Sequence, residues 1–146
     1  MARKPRAAKA WEPSESEFQR GAMRYLEAQS DLIAWRVNCG GLMTPQGHWF
    51  RGAPIGTPDI QGAMRGGRAF YIELKTLRGV VSEAQCEWLR RAHTLGIAAF
   101  VCRDFGQVLR AVRCLRVTER NSLCEENLDA HGRMAAWNRL GGEFDE

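Results

Sequence analysis

The stretch PDIQGAMRGGRAFYIELK, residues 58–75, decides the fold and most of the chemistry. It contains two strand-like runs, Asp59 to Met64 and Ala69 to Lys75, around Arg65-Gly66-Gly67-Arg68, which is a hairpin signal. Residues two apart on a strand share a face, so Glu73 and Lys75 project together while Leu74 turns into the core. Asp59 opens the neighbouring strand behind Pro58, which restricts the backbone of Thr57. Two carboxylates converging near one amine raise each other's pKa, and a hard divalent cation with oxygen ligands relieves that repulsion. Whether they converge depends on register. A two-residue Gly66-Gly67 loop sets Asp59 opposite Leu74, on the wrong face for Glu73. A three-residue loop, a β-bulge or a bend at Asp59 restores the shared face, and the two glycines supply the positive φ such a turn needs.

Lys75 stands out chemically as well. It is the only lysine outside the N-terminal tail, and the other thirteen basic residues between Ser14 and Val117 are all arginine. Arginine is a planar, permanently charged fork, whereas lysine is a compact charge whose pKa can move. A chain that otherwise selects guanidinium has kept one primary amine at the end of this strand.

Outward from the hairpin, Ser82 with Gln85 in capping-box spacing predicts a helix through Leu95, closed by Gly96. Ile97 to Cys102 is the near-continuous apolar run of a strand buried on both faces, and Phe105 to Leu115 reads as a short helix. Toward the N-terminus, Ser14 and Glu17 form another capping box, and Phe18, Ala22, Tyr25 and Leu26 carry a helix to about Gln29. Leu32 to Asn38 is a short strand. Residues 39–58, with five glycines and three prolines, read as one long loop. The order helix, strand, hairpin, helix, strand, helix predicts an α/β fold with a mixed central β-sheet flanked by helices.

Three segments follow: a basic flexible tail over 1–13, a folded domain over 14–117, and an extension over 118–146 that packs on the body or on a partner. The tail carries four basic residues against Glu12, the extension three arginines against seven acids. Of the net +4, the middle segment therefore holds +5, which suits a polyanionic partner. At 146 residues and a mean hydropathy of −0.39 the chain fits one core, and no apolar run approaches the length of a membrane span. The basic N-terminus lacks the apolar stretch of a secretory signal, so a cytoplasmic location is expected. Cys39, Cys86, Cys102, Cys114 and Cys124 are odd in number and, like the three histidines, lack metal-ligand spacing, so most read as reduced core residues. The five tryptophans read mainly as core. Trp49, beside His48 and Arg51 in the long loop, is the one placed to stack on an unpaired base.

Glu17 in the first helix, Arg36-Val37-Asn38, Gly56-Thr57-Pro58-Asp59, Glu73-Leu74-Lys75, Gly79, and Ser82 followed by Gln85 occur in an order that resembles the virus-type replication-repair nuclease (VRR-NUC) family. That family belongs to the PD-(D/E)XK nuclease superfamily. The resemblance covers about residues 14–112. It implies a restriction-endonuclease-like core and Mg²⁺- or Mn²⁺-dependent hydrolysis of DNA phosphodiesters, often on branched or junction DNA. It also implies that Asp59, Glu73, Glu17 and the Leu74 backbone carbonyl hold the metal, with Lys75 acting on the attacking water and Gln85 supporting the site. Arg36, Asn38, Arg51 and Arg78 are candidate DNA contacts. Symmetrical cutting of two strands needs two sites of opposite polarity, which a homodimer supplies, with Leu123, Leu128, Met134, Trp137 and Leu140 as candidate interface residues. A nuclease fold retained only for DNA binding, and cleavage of RNA, are the competing readings.

Overall fold

A computed structural model describes residues 13–117. Helix α1 (Glu15–Glu27) starts where the sequence signals it: Ser14 accepts from the Glu17 backbone N–H, and Glu17 accepts in return from Ser14. Each such cap stabilises a helix start by about 1 kcal/mol. Phe18, Ala22, Met23 and Leu26 form its buried stripe. Strand β1 (Leu32–Arg36) follows.

The stretch expected as one long loop contains a two-stranded antiparallel ribbon, β2 (Gly41–Met43) with β3 (Trp49–Arg51). Three-residue strands are too short to show a period of two, and the surrounding glycines and prolines hide them. Next come β4 (Ile60–Met64) and β5 (Arg68–Leu74), then α2 (Glu83–Thr94), β6 (Ala98–Cys102) and α3 (Phe105–Val117).

The main sheet has the order β1-β4-β5-β6. The first two pairings are antiparallel; β5 and β6 are parallel and joined through α2, so the sheet is mixed as expected. In the β4–β5 hairpin Met64 pairs with Arg68, leaving the three-residue loop Arg65-Gly66-Gly67. Gly66 and Gly67 take φ of 89° and 81°, the left-handed region that a side chain resists. Of the three ways to restore the shared face, the molecule uses the odd loop.

Two apolar layers sandwich the sheet. Ile60, Phe70, Ile72, Leu74, Phe100 and Cys102 pack toward α1 and α3. Ala99 and Val101 pack toward Cys86, Leu89 and Ala92 of α2. Leu74 is completely buried in the first layer, which directs Glu73 and Lys75 toward the α2 side. Cys86, Cys102 and Cys114 are buried, but Cys39 is exposed. Of the tryptophans read as core, Trp35 lies exposed on the edge strand and Trp88 is half-buried, whereas Trp49, set apart from the core in the sequence, is exposed on the ribbon. Cys124, Trp11, Trp137, the basic tail and the proposed interface residues of the C-terminal extension lie outside the described residues. No helix among the described residues is long and apolar enough to cross a membrane.

Candidate active site

Strand β5 delivers Glu73 into an interior position with no solvent exposure. Its Oε1 accepts from Gln85 Nε2 at 2.6 Å and lies 2.9 Å from Lys75 Nζ. Its Oε2 is buried and has no hydrogen-bond partner. Burial, and next the charge of Asp59, push the Glu73 carboxyl up to about 7, against the opposing pull of Lys75. Asp59, half-buried at the mouth of β4, is also raised, chiefly by burial. Its Oδ2 accepts from the Leu74 backbone N–H at 2.9 Å, which ties the start of β4 to the end of β5.

Local sequence explains why Asp59 sits there. Gly56 takes φ +89°, and a Cβ at that position would lie 2.4 Å from the Ala84 carbonyl oxygen of α2, so only glycine lets the chain pass. Thr57 is buried, and its hydroxyl donates to the Pro54 carbonyl at 2.7 Å. Pro58 is fully buried behind it. The backbone continues past Asp59 by pairing its carbonyl with the Val37 N–H at 2.8 Å. A rigid corner thus fixes the carboxylate before the strand begins.

Gln85 shows why glutamine stands at the third position of α2. Its Oε1 accepts from the Ser82 backbone N–H at 2.9 Å, completing the cap, while its Nε2 donates to Glu73. Glutamate would serve the cap equally well but has no donor to offer the buried carboxylate, and it would add a third negative charge. One side chain therefore closes the helix and orients the acid.

The other expected residues divide. Arg36 and Asn38 line a cleft of about 530 Å³ together with Asp59, Cys39, Thr57 and Gln85. Arg36 donates to Gln19 at 2.8 Å, and its charge lowers the Asp59 pKa against the effect of burial. Arg51 is exposed on β3 and Arg78 is exposed in the turn after Lys75. Glu17 is not brought into contact with the two acids: its Oε2 is engaged by the Ser14 hydroxyl at 2.6 Å and backbone N–H at 2.9 Å, which holds its pKa down. The acid of α1 whose charge acts on Asp59 is Glu15.

Three neighbours were not singled out from the sequence. Glu15, in the first turn of α1, is one. Cys39 is the second: although the residue is exposed, its thiol donates to the Thr57 carbonyl at 3.2 Å in a part-buried position, and its pKa is raised by that partial desolvation and then by the charges of Asp59 and Glu73. The third is Arg103, buried at the end of β6, whose Nη1 donates to the Thr76 carbonyl at 2.9 Å and the Gly79 carbonyl at 2.7 Å. It clamps the turn that follows Lys75. Position in the chain gives some signal for Cys39, next to Asn38, but none for Arg103.

A mixed sheet whose hairpin brings two acids and a lysine together, with a glutamine of α2 bonded to one of the acids, defines an α/β protein with a restriction-endonuclease-like core. Residues 22–105 match the family model of the VRR-NUC domain. The chain belongs to that nuclease family. Glu15 and Glu17 lie ahead of the matched residues, whereas Asp59, Glu73, Lys75 and Gln85 fall inside them. No curated protein and no solved structure gives a significant match to the chain.

Proposed function

We propose that the protein is a divalent-metal-dependent deoxyribonuclease that hydrolyses DNA phosphodiester bonds, with branched or junction DNA as its preferred form. The observation that carries this reading is the buried, unpartnered Oε2 of Glu73 beside a second acid whose pKa is also raised. A buried carboxylate oxygen left without a donor costs free energy that a cation recovers. The residues present therefore fit Mg²⁺ or Mn²⁺, held by Asp59, Glu73 and the Leu74 backbone carbonyl. When bound, such an ion neutralises charge on the scissile phosphate and lowers the pKa of a coordinated water.

The chain's own residues supply the rest. Lys75, 2.9 Å from Glu73 and 19% exposed, is close enough to the acids to hold the attacking water and open enough to meet a phosphate. Its ammonium offsets the negative charge that develops as water oxygen bonds to phosphorus and the sugar oxygen departs. Gln85 keeps Glu73 in one rotamer, and Arg103 keeps the turn after Lys75 closed. Arg36, Asn38, Arg51 and Arg78 supply contacts to the phosphate backbone, which fix position and carry no sequence information. Glu17 is held at Oε2 by its cap, and Glu15 is the α1 acid whose charge acts on Asp59. A homodimer would present two such sites in two-fold relation.

Titration calorimetry tests the reading. The wild-type protein should bind Mn²⁺, and Asp59→Asn should lose that binding yet hold DNA at least as well in metal-free buffer, because a negative charge facing the phosphates is gone. Unchanged Mn²⁺ affinity in the variant would remove Asp59 from the ligand set.

A further inference from the structure

The β2–β3 ribbon leaves the rim of the Asp59 cleft and exposes its apolar side chains. Its base is fastened to the cleft wall: Gly52 N–H donates to the Gly40 carbonyl at 2.5 Å and Ala53 N–H to the Asn38 carbonyl at 3.0 Å, and Cys39, Asn38 and Gly40 themselves line the cleft. Its tip is equally ordered. Thr44 N–H donates to the His48 carbonyl at 2.8 Å, Gly47 N–H to the Thr44 carbonyl at 2.9 Å, and His48 N–H to the Thr44 hydroxyl at 3.0 Å. This is a built projection, about 10 Å of ladder at roughly 3.3 Å per residue.

Its two faces differ. Directly paired residues share a face, so Trp49 and Met43 lie with Arg51 and Gly41 on one side, and Leu42 with Phe50 on the other. On the first side the Trp49 ring lies over Gly41, which has no Cβ to obstruct it, and the residue remains 63% exposed. An isolated two-stranded ribbon is marginal in water, and one that carries a bare indole and a guanidinium on the same face has the makeup of a surface that receives a base and its phosphate. The surrounding charge agrees, since Arg36 of the cleft and Arg51 of the ribbon are both cationic and the segment from Ser14 to Val117 carries a net +5.

We infer that this ribbon is a stacking platform for unpaired bases, with Trp49 as the stacking side chain and Arg51 holding the adjoining phosphate. The inference rests on the nuclease reading and specifies which DNA the same site takes. A strand whose bases are splayed out beside the cleft reaches Trp49, whereas stacked bases inside an intact duplex cannot present a face to it. Aromatic stacking tolerates any base, so the preference is for unpaired structure and not for sequence.

The test uses the full chain in EDTA, to hold the DNA uncut. Two synthetic DNAs of equal length and charge are compared, one fully paired and one with a short run of unpaired bases containing 2-aminopurine. The ratio of the two dissociation constants is the readout. The wild-type protein should favour the unpaired form and change the 2-aminopurine emission on binding. Trp49→Ala should weaken the hold on unpaired DNA by about 5- to 150-fold, the range that corresponds to ~1–3 kcal/mol per stacked base, so that the ratio collapses toward one. Trp49→Phe keeps a ring over Gly41 and should restore most of the ratio. A wild-type ratio of one, an unaltered 2-aminopurine signal, or a Phe variant as impaired as the Ala variant would overturn the inference. So would light scattering that shows Trp49→Ala turning a dimer into a monomer with the ratio unchanged, which would make the ribbon a contact between copies. Failure of the wild-type protein to bind either DNA would instead bring down the nuclease reading itself.

Discussion

Replacing Glu73 by glutamine should change the pH dependence of stability in a direction set by the buried acid. The Glu73 carboxyl is raised from 4.5 to about 7 in the folded protein, first by burial and then by Asp59. Between those values the folded state binds more protons than the unfolded chain, so stability falls as pH rises through that window. The stabilising contribution is full below about pH 4.5 and gone above about pH 7. A displacement of that size corresponds to about 3 kcal/mol at 1.36 kcal/mol per pKa unit. Asp59, raised for the same chief reason, adds a slope of the same sign. Glutamine keeps the shape of the side chain and an oxygen for Gln85 and Lys75, but it has no proton to lose. Urea denaturation from pH 4.5 to 8.5 in EDTA should show wild-type stability declining across the window and Glu73→Gln declining much less. Saturating Mn²⁺ should flatten the wild-type profile and leave that of the variant unchanged. Parallel profiles for the two proteins in EDTA would refute the idea that Glu73 is held above its ordinary range.

Two further changes test the scaffold. Gly56→Ala forces a Cβ against the Ala84 carbonyl at a positive φ, so chemical denaturation should show a loss of about 1–3 kcal/mol or more, accompanied by weaker Mn²⁺ binding because the corner holding Asp59 shifts. Arg103→Met removes both bonds to the Thr76 and Gly79 carbonyls but also removes a guanidinium whose Nε and Nη2 have no partner. The stability loss should therefore stay within about 1–3 kcal/mol, while the turnover number falls because the turn after Lys75 loosens; an unchanged kcat would deny the clamp a role.

The shared face of Asp59, Glu73 and Lys75 is legible in the sequence through parity. Asp59, Glu73 and Lys75 can share a face only with an odd loop, a bulge or a bend, and the Arg65-Gly66-Gly67 loop meets that condition. Capping residues were legible because their bonds are local: Ser14 with Glu17 and Ser82 with Gln85 lie within one helical turn. What spacing could not show was the second bond of Gln85, which exists only once α2 docks beside β5. Nor could it show that Glu17 is bonded through Oε2 to its cap while Glu15 acts on Asp59. The β2–β3 ribbon escaped notice because three residues per strand leave no periodic trace, and its exposed Trp49 and Phe50 defy the usual link between aromatic residues and burial. Arg103 clamps a turn more than twenty positions earlier in the chain, and no local pattern announces such a contact.

The central claim is that the acids and lysine of this hairpin cut DNA with the help of a divalent ion. Its most direct measurement is cleavage of a panel of linear, nicked, flap and four-way-junction DNA by wild type and Lys75→Ala, each with Mn²⁺ and with EDTA. The account predicts cleavage by wild type with Mn²⁺, strongest on the branched forms, and none in EDTA. Lys75→Ala should be slower by about two to three orders of magnitude, the usual cost of removing one electrostatic contact from the transition state, while still binding DNA. Cleavage that persists in EDTA, or Lys75→Ala cutting at the wild-type rate with Mn²⁺, would contradict it.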